Sequence, residues 1–150
     1  MQRLSFQSYG IFILFALGAT SALAFEYRSV SEDIVSLYDA PSAKAKKVYV
    51  MSRDYPVELV VPVEGWVKIR EAGGKLAWIE TKFLGEKRTV LVKVGLADIR
   101  QSPDTAAALV FQAQQNVVME LLEFSIPGWV KVKHRDGQSG FVRVDQIWGV

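Results

Sequence analysis

The chain has 150 residues, 18 basic and 16 acidic side chains, one histidine and no cysteine, for a formal net charge of +2. So even a balance offers no basic field for a nucleic-acid partner. The missing thiols exclude disulfides, thiolate metal sites and thiol catalysis, which leaves burial and hydrogen bonding to hold the fold.

Met1 to Ala24 carries Arg3, an apolar run from Gly10 to Ala19, and Ala22-Leu23-Ala24. This is the pattern of a secretory signal peptide with cleavage before Phe25. A retained membrane anchor is the rival reading, but the apolar run is about ten residues against the roughly 20 that a spanning helix needs. Cleavage leaves a nearly neutral chain from Phe25 to Val150, with no stable membrane insertion, bound for the periplasm or the medium.

From Val35 the chain repeats itself. "VSLYDAPS" (Val35–Ser42) lies over "ADIRQSPD" (Ala97–Asp104) at an offset of 62, as do "KVYV" over "LVFQ" and "VEL" over "MEL". One extra residue enters the second copy before Gly128. Beyond it "GWVKIREAGGKLAWI" (Gly65–Ile79) lies over "GWVKVKHRDGQSGFV" (Gly128–Val142) at an offset of 63. A repeat of this length sets the architecture before any other feature does.

Each copy reads as five short strands. "WVKIR" and "WVKVK" alternate apolar with polar, the period of a half-buried strand. Gly73-Gly74 and Asp136-Gly137 mark tight hairpins leading to strands at Leu76–Ile79 and Ser139–Val142. Pro41 and Pro103 sit in the loops after the first strand of each copy. "DTAAALVFQAQQ" (Asp104–Gln115) has helix-favouring alanines, but its partner stretch carries Val48, Tyr49 and Val50, so it reads as loop then strand. The short link "GEKRT" (Gly85–Thr89) predicts two copies packed as one unit, since each alone is marginal in size. The expected fold is all-β: two tandem SH3-like small β-barrels packed together, at residues 25–86 and 87–150, after the leader at 1–24. The GWV tryptophan is expected to cover one end of each barrel.

Several motifs carry a resemblance: Gly65-Trp66-Val67, Ala77-Trp78-Ile79, "GEKRTV" (Gly85–Val90), Gly128-Trp129-Val130, Gly140-Phe141-Val142 and the ending Ile147-Trp148-Gly149-Val150. In this order, and doubled, they resemble the bacterial SH3-like (SH3b) family, in its exported tandem-domain form, across residues 27 to 150. The resemblance implies a periplasmic, non-catalytic module that recognises peptidoglycan or muropeptide. An adaptor for an extended peptide or a partner enzyme of the envelope is the alternative. The family's first loop often reads Asn-Val-Arg-Ser-Gly-Pro. Here "SLYDAP" (Ser36–Pro41) and "DIRQSP" (Asp98–Pro103) keep only Arg100 and the prolines.

The residues themselves point to no chemistry. His134 alone supplies neither a nucleophile–base pair nor a zinc ligand set, and reads as a solvent-facing hairpin residue. The acids fall mostly at turns, as solvated carboxylates, and no phosphate-loop pattern occurs. No enzyme activity, cofactor or metal is expected. Lys44, Lys46 and Lys47, with Lys87 and Arg88, read as solvated loop cations. The aromatics are the candidates, because flat rings bind sugar faces and proline-rich peptides. Trp78, Phe141, Tyr49 and Phe111 read as core. Tyr38 and Tyr55 flank the expected groove of copy one, where copy two has Arg100 and Val117. The candidate ligand contacts are Tyr38, Tyr55, Trp66, Arg100 and Trp129.

Overall fold

A computed structural model describes residues 25–150, apart from the side chain of Ser125; the expected leader, residues 1–24, lies outside them. Fourteen strands form two seven-stranded antiparallel sheets. The first holds β1 (Glu26–Val30), β2 (Ile34–Tyr38), β3 (Lys47–Ser52), β4 (Pro56–Val63), β5 (Trp66–Arg70), β6 (Leu76–Glu80) and β7 (Leu84–Gly85). The second holds β8 (Thr89–Val92), β9 (Leu96–Arg100), β10 (Leu109–Gln114), β11 (Val118–Ile126), β12 (Trp129–Lys133), β13 (Ser139–Arg143) and β14 (Ile147–Trp148). A 3-10 turn precedes the last strand of each, at Thr81–Phe83 and Val144–Gln146.

The orders are β3-β2-β6-β5-β4-β1-β7 and β10-β9-β13-β12-β11-β8-β14, the same path twice. All-β duplication is as expected, but the barrels are not closed. Each ladder ends at β3 or β10 on one side and at β7 or β14 on the other. The terminal strands β7 and β14 have two residues each. Burial still curls each sheet round one core. Val30, Val35, Leu37, Met51, Val57, Val67, Ile69, Ala77 and Ile79, drawn from six strands, meet in a single cluster. Its counterpart gathers Val90, Val92, Ala97, Ile99, Ala113, Met119, Leu121, Val130, Val132, Val142 and Ile147. Each valine, leucine, isoleucine or methionine among them contributes about 1.5–3 kcal/mol by leaving water.

Sequence reading found five strands per copy and missed β1 and β8, as well as the short β7 and β14. All four residues of β8 are buried, so it shows no alternation and reads as a bare apolar run. The segment from Asp104 is indeed loop, then strand β10. The extra residue of the second copy lies in β11. The β4–β5 ladder slips once, between Leu59 and Val61. The β11–β12 ladder slips twice, between Leu121 and Glu123 and between Glu123 and Ile126, as an inserted bulge residue requires. Gly65 and Gly128 close these two hairpins at φ +75° and +76°, where an ordinary side chain would be strained. That is the backbone reason for the glycine of each GWV.

β8 is covered on its second face by the first half. The Thr89 hydroxyl donates to the Asp54 carbonyl at 2.6 Å, and the Ser29 hydroxyl to the Lys87 carbonyl at 2.7 Å. Lys87 pairs with Asp54 at 3.2 Å. Arg88 is not a solvated loop cation: it donates to the Gly149 carbonyl at 2.9 Å and lies 5.6 Å from the Tyr27 ring centroid. The two copies are thus packed together, as the short link predicts.

Candidate functional site

In β5, Val67 and Ile69 point into the core, so Trp66, Lys68 and Arg70 share the outer face. In β6, Ala77 and Ile79 point inward, so Leu76, Trp78 and Glu80 face out. The antiparallel register sets Lys68 opposite Trp78, and its Nζ lies 5.3 Å from the ring centroid. A contact of this kind is worth about 0.5–1 kcal/mol when exposed. On the other side of β6, Tyr38 is the cross-strand partner of Trp78. Its ring meets Trp66 edge-on, with centroids 5.4 Å apart and planes at 86°. Three strands therefore bring Tyr38, Trp66 and Trp78 onto one face with Lys68 among them.

Beside this face lies an open groove of about 460 Å³, lined by Asp39, Val48, Tyr49, Lys68, Lys75, Leu76 and Trp78. Asp39 holds the loop at its rim by accepting the Lys46 amide at 3.1 Å. Glu71 shapes the hairpin at the other end, accepting the Gly73 and Lys75 amides at 2.8 Å each. Tyr49 and Tyr55 pack partly against the core beneath. Burial pushes both phenols above their ordinary range, and the Glu71 carboxylate adds to it. A hydrogen bond with the Ala72 backbone pulls Tyr55 the other way. The Tyr49 hydroxyl is buried with no partner among the described residues.

The second copy repeats part of this surface. Lys131 is opposite Phe141, with its Nζ 5.8 Å from the ring centroid, and Trp129 is half-buried at the start of β12. Where the first copy has Tyr38, Arg100 turns inward on its own loop. Its Nη2 pairs with Asp98 at 2.8 Å and its Nη1 donates to the Ala107 carbonyl at 2.9 Å. Gln101, Gln138 and Ser139 stand where the first copy has Asp39, Lys75 and Leu76.

Of the sequence-predicted contacts, Tyr38 and Trp66 come together, Trp129 sits on the matching outer face, Arg100 is held by its own copy, and Tyr55 lies apart with Tyr49 on the core. Trp66 lies on the outer face at the start of β5. Trp78 and Phe141, expected in the core, also face out and are half-buried. The reason is steric. The inward position of β13 is Gly140, where even a Cβ would sit 2.6 Å from Ile99 Cγ2 and 2.7 Å from the Arg100 carbonyl oxygen. The core admits only glycine there and holds the small Ala77 at the matching position of β6, and the aromatic neighbour takes the other face. Tyr49 and Phe111 do pack on the cores. The signal for Trp78 was present in the small residue just before it.

His134 is half-buried, not solvent-facing. Its Nδ1 lies 3.1 Å from Asp136 and its ring 5.9 Å from that of Phe111. Hydrogen bonds from Gln138, backbone first and then side chain, bring the Asp136 carboxyl down to about 2, with His134 adding less. Among the described residues, no group of three histidine or acidic side chains could hold a metal ion.

Two curled all-β units with one strand order, and matching outer aromatics, define a tandem small-β-domain protein. The family model of the bacterial SH3 domain matches residues 31–85 and again 93–149, so the chain belongs to that family. No curated protein matches it. Among solved structures, NlpC2 from Trichomonas vaginalis is similar at 20% identity and a TM-score of 0.40, over 85% of this chain and 49% of that one. NlpC1 from the same organism gives 20% and 0.40, over 92% and 50%. An NlpC/P60 family protein from Bacillus cereus gives 16% and 0.40, over 82% and 56%. The chain spans about half the length of these structures.

Proposed function

We propose that this protein is a non-catalytic binding module of the bacterial envelope that recognises peptidoglycan through the outer aromatic face of its first domain. Bacterial SH3 domains are typically cell-wall binding modules, and this chain carries two. The observation that carries the reading is the Tyr38–Trp66–Trp78 face with Lys68 over Trp78. The half-buried rings of Trp66 and Trp78 offer flat apolar contact to sugar or peptide at little entropic cost, the buried Tyr38 ring supports Trp66 edge-on, and the ammonium adds a charge for an anionic group. The second domain keeps Trp129, Phe141 and Lys131 on its outer face but lacks the counterpart of Tyr38, so the reading rests on the first domain. The leader pattern at 1–24 supports export to the periplasm or medium.

The test is co-sedimentation of residues 25–150 with purified sacculi at low and moderate salt. Pelleting at both is expected, with the Tyr38→Ala, Trp66→Ala double variant weakened about tenfold, a loss of about 1.4 kcal/mol. Absence of the wild-type chain from the pellet at both salts overturns the proposal.

A second reading, an adaptor for an extended peptide, is favoured by β3. It is an edge strand bonded only to β2, with Val48 and Val50 exposed, and such an edge accepts an added strand. In-cell crosslinking to one discrete protein, with no sacculus binding, would favour it.

A further inference from the structure

We infer that the groove of the first domain grips the peptide stem of peptidoglycan by its carboxylates, and that the second domain supports the first without an equivalent site. This rests on the peptidoglycan reading and narrows it. Lys68 and Lys75 line the groove, and neither ammonium has an ion-pair partner among the described residues. The acid at the rim, Asp39, is engaged with the Lys46 amide. Accepting an amide leaves Asp39 charged, so the lining carries two ammonium groups against one carboxylate, a net positive charge above an apolar floor of Val48, Leu76 and Trp78. N-acetylated glycan units are neutral, whereas the free carboxylates of the polymer sit on its peptide stems. Complementarity of this kind selects the partner more than it raises affinity.

The second domain departs at the positions that matter. Gln138 replaces Lys75, Ser139 replaces Leu76 and Gln101 replaces Asp39. Arg100, which could have supplied a cation, spends its guanidinium on Asp98 and the Ala107 carbonyl. Asp98 is held in turn by Gln112 Nε2 at 2.8 Å. The face is thus organised by its own side chains. What the second domain does supply is packing: β8, buried along its whole length, and Trp148 against Tyr27.

The experiment compares sacculus pelleting of residues 25–150 in four forms: wild type, Lys68→Glu/Lys75→Glu, Lys68→Gln/Lys75→Gln, and Lys131→Glu. Thermal melts check that each folds. Wild-type pelleting is also competed with a soluble stem tripeptide bearing free carboxylates, and separately with a neutral N-acetylglucosamine oligomer. The Glu pair should lose about tenfold or more and the Gln pair less. Lys131→Glu should stay within about twofold, and only the tripeptide should compete. Pelleting unaffected by the Lys68/Lys75 variants, equal loss with Lys131→Glu, or competition by the oligomer alone overturns this inference and leaves the peptidoglycan reading standing. A wild-type chain that never pellets sinks both.

Discussion

The ring of Tyr27 meets the ring of Trp148 edge-on, with centroids 5.3 Å apart and planes at 87°. Tyr27 lies on the first strand of the first domain and Trp148 on the last strand of the second, so this contact clasps the two ends of the described chain across the seam. In a double-mutant cycle of Tyr27→Ala and Trp148→Ala, the coupling should be about 0.5–1.5 kcal/mol. Wild type should unfold in urea in one transition. The double variant should show two, as the halves lose their mutual support. A single unshifted transition in all four proteins would show that the clasp does not join the domains.

Gly149 sits next to that clasp at φ +111°, where an added Cβ would come within 2.9 Å of the Thr89 carbonyl oxygen and 3.4 Å of Pro56 Cβ. Both the backbone and the space demand glycine. Gly149→Ala should cost about 1–3 kcal/mol in urea titration. A neutral outcome would mean that the C-terminal turn relaxes freely away from Pro56.

Glu58 is buried in β4, its side chain only 8% exposed, and both its carboxylate oxygens accept from Nη1 of Arg70 at 2.7 and 2.8 Å. Arg70→Ala strands that charge and should cost about 3 kcal/mol. The exposed Arg143–Asp145 pair is the control, and Asp145→Ala should change stability by less than about 1 kcal/mol. Equal effects by chemical denaturation would mean that water reaches Glu58 as readily as Asp145.

Burial raises Tyr27, Tyr49 and Tyr55 above the ordinary phenol value of 10.0. The unfolded chain therefore releases these protons first. The tyrosine contribution to stability should be constant below pH 10 and fall as pH rises beyond it. On the acid side, Asp136 is lowered from 3.8 to about 2. Its contribution is present above pH 3.8 and is lost as pH drops towards 2. Urea midpoints across pH 8–11, with phenolate absorbance followed in parallel, check the alkaline limb. Carbon chemical shifts of Asp136 check the acid limb.

The outer aromatic face was half legible. Tyr38 and Trp66 were readable as candidates because both stand beside loops. Trp78 was misplaced because alternation says that neighbours face opposite ways without saying which way is in. The small Ala77 and Gly140 decided it, and their meaning depends on how near Ile99 and its counterpart approach. Tyr55 was less legible still. Its place in the chain, next to a turn, hides the fact that its ring packs on the core with Tyr49.

The duplication, the two-residue period of β5 and β12, and the hairpin glycines are local properties, set by backbone sterics and side-chain spacing, and the sequence determined them alone. It could not say that the sheets stay open, that Arg100 is spent on Asp98, or that Tyr27 closes on Trp148. Those depend on contacts between residues far apart in the chain, whose energies exist only once burial has brought the strands together.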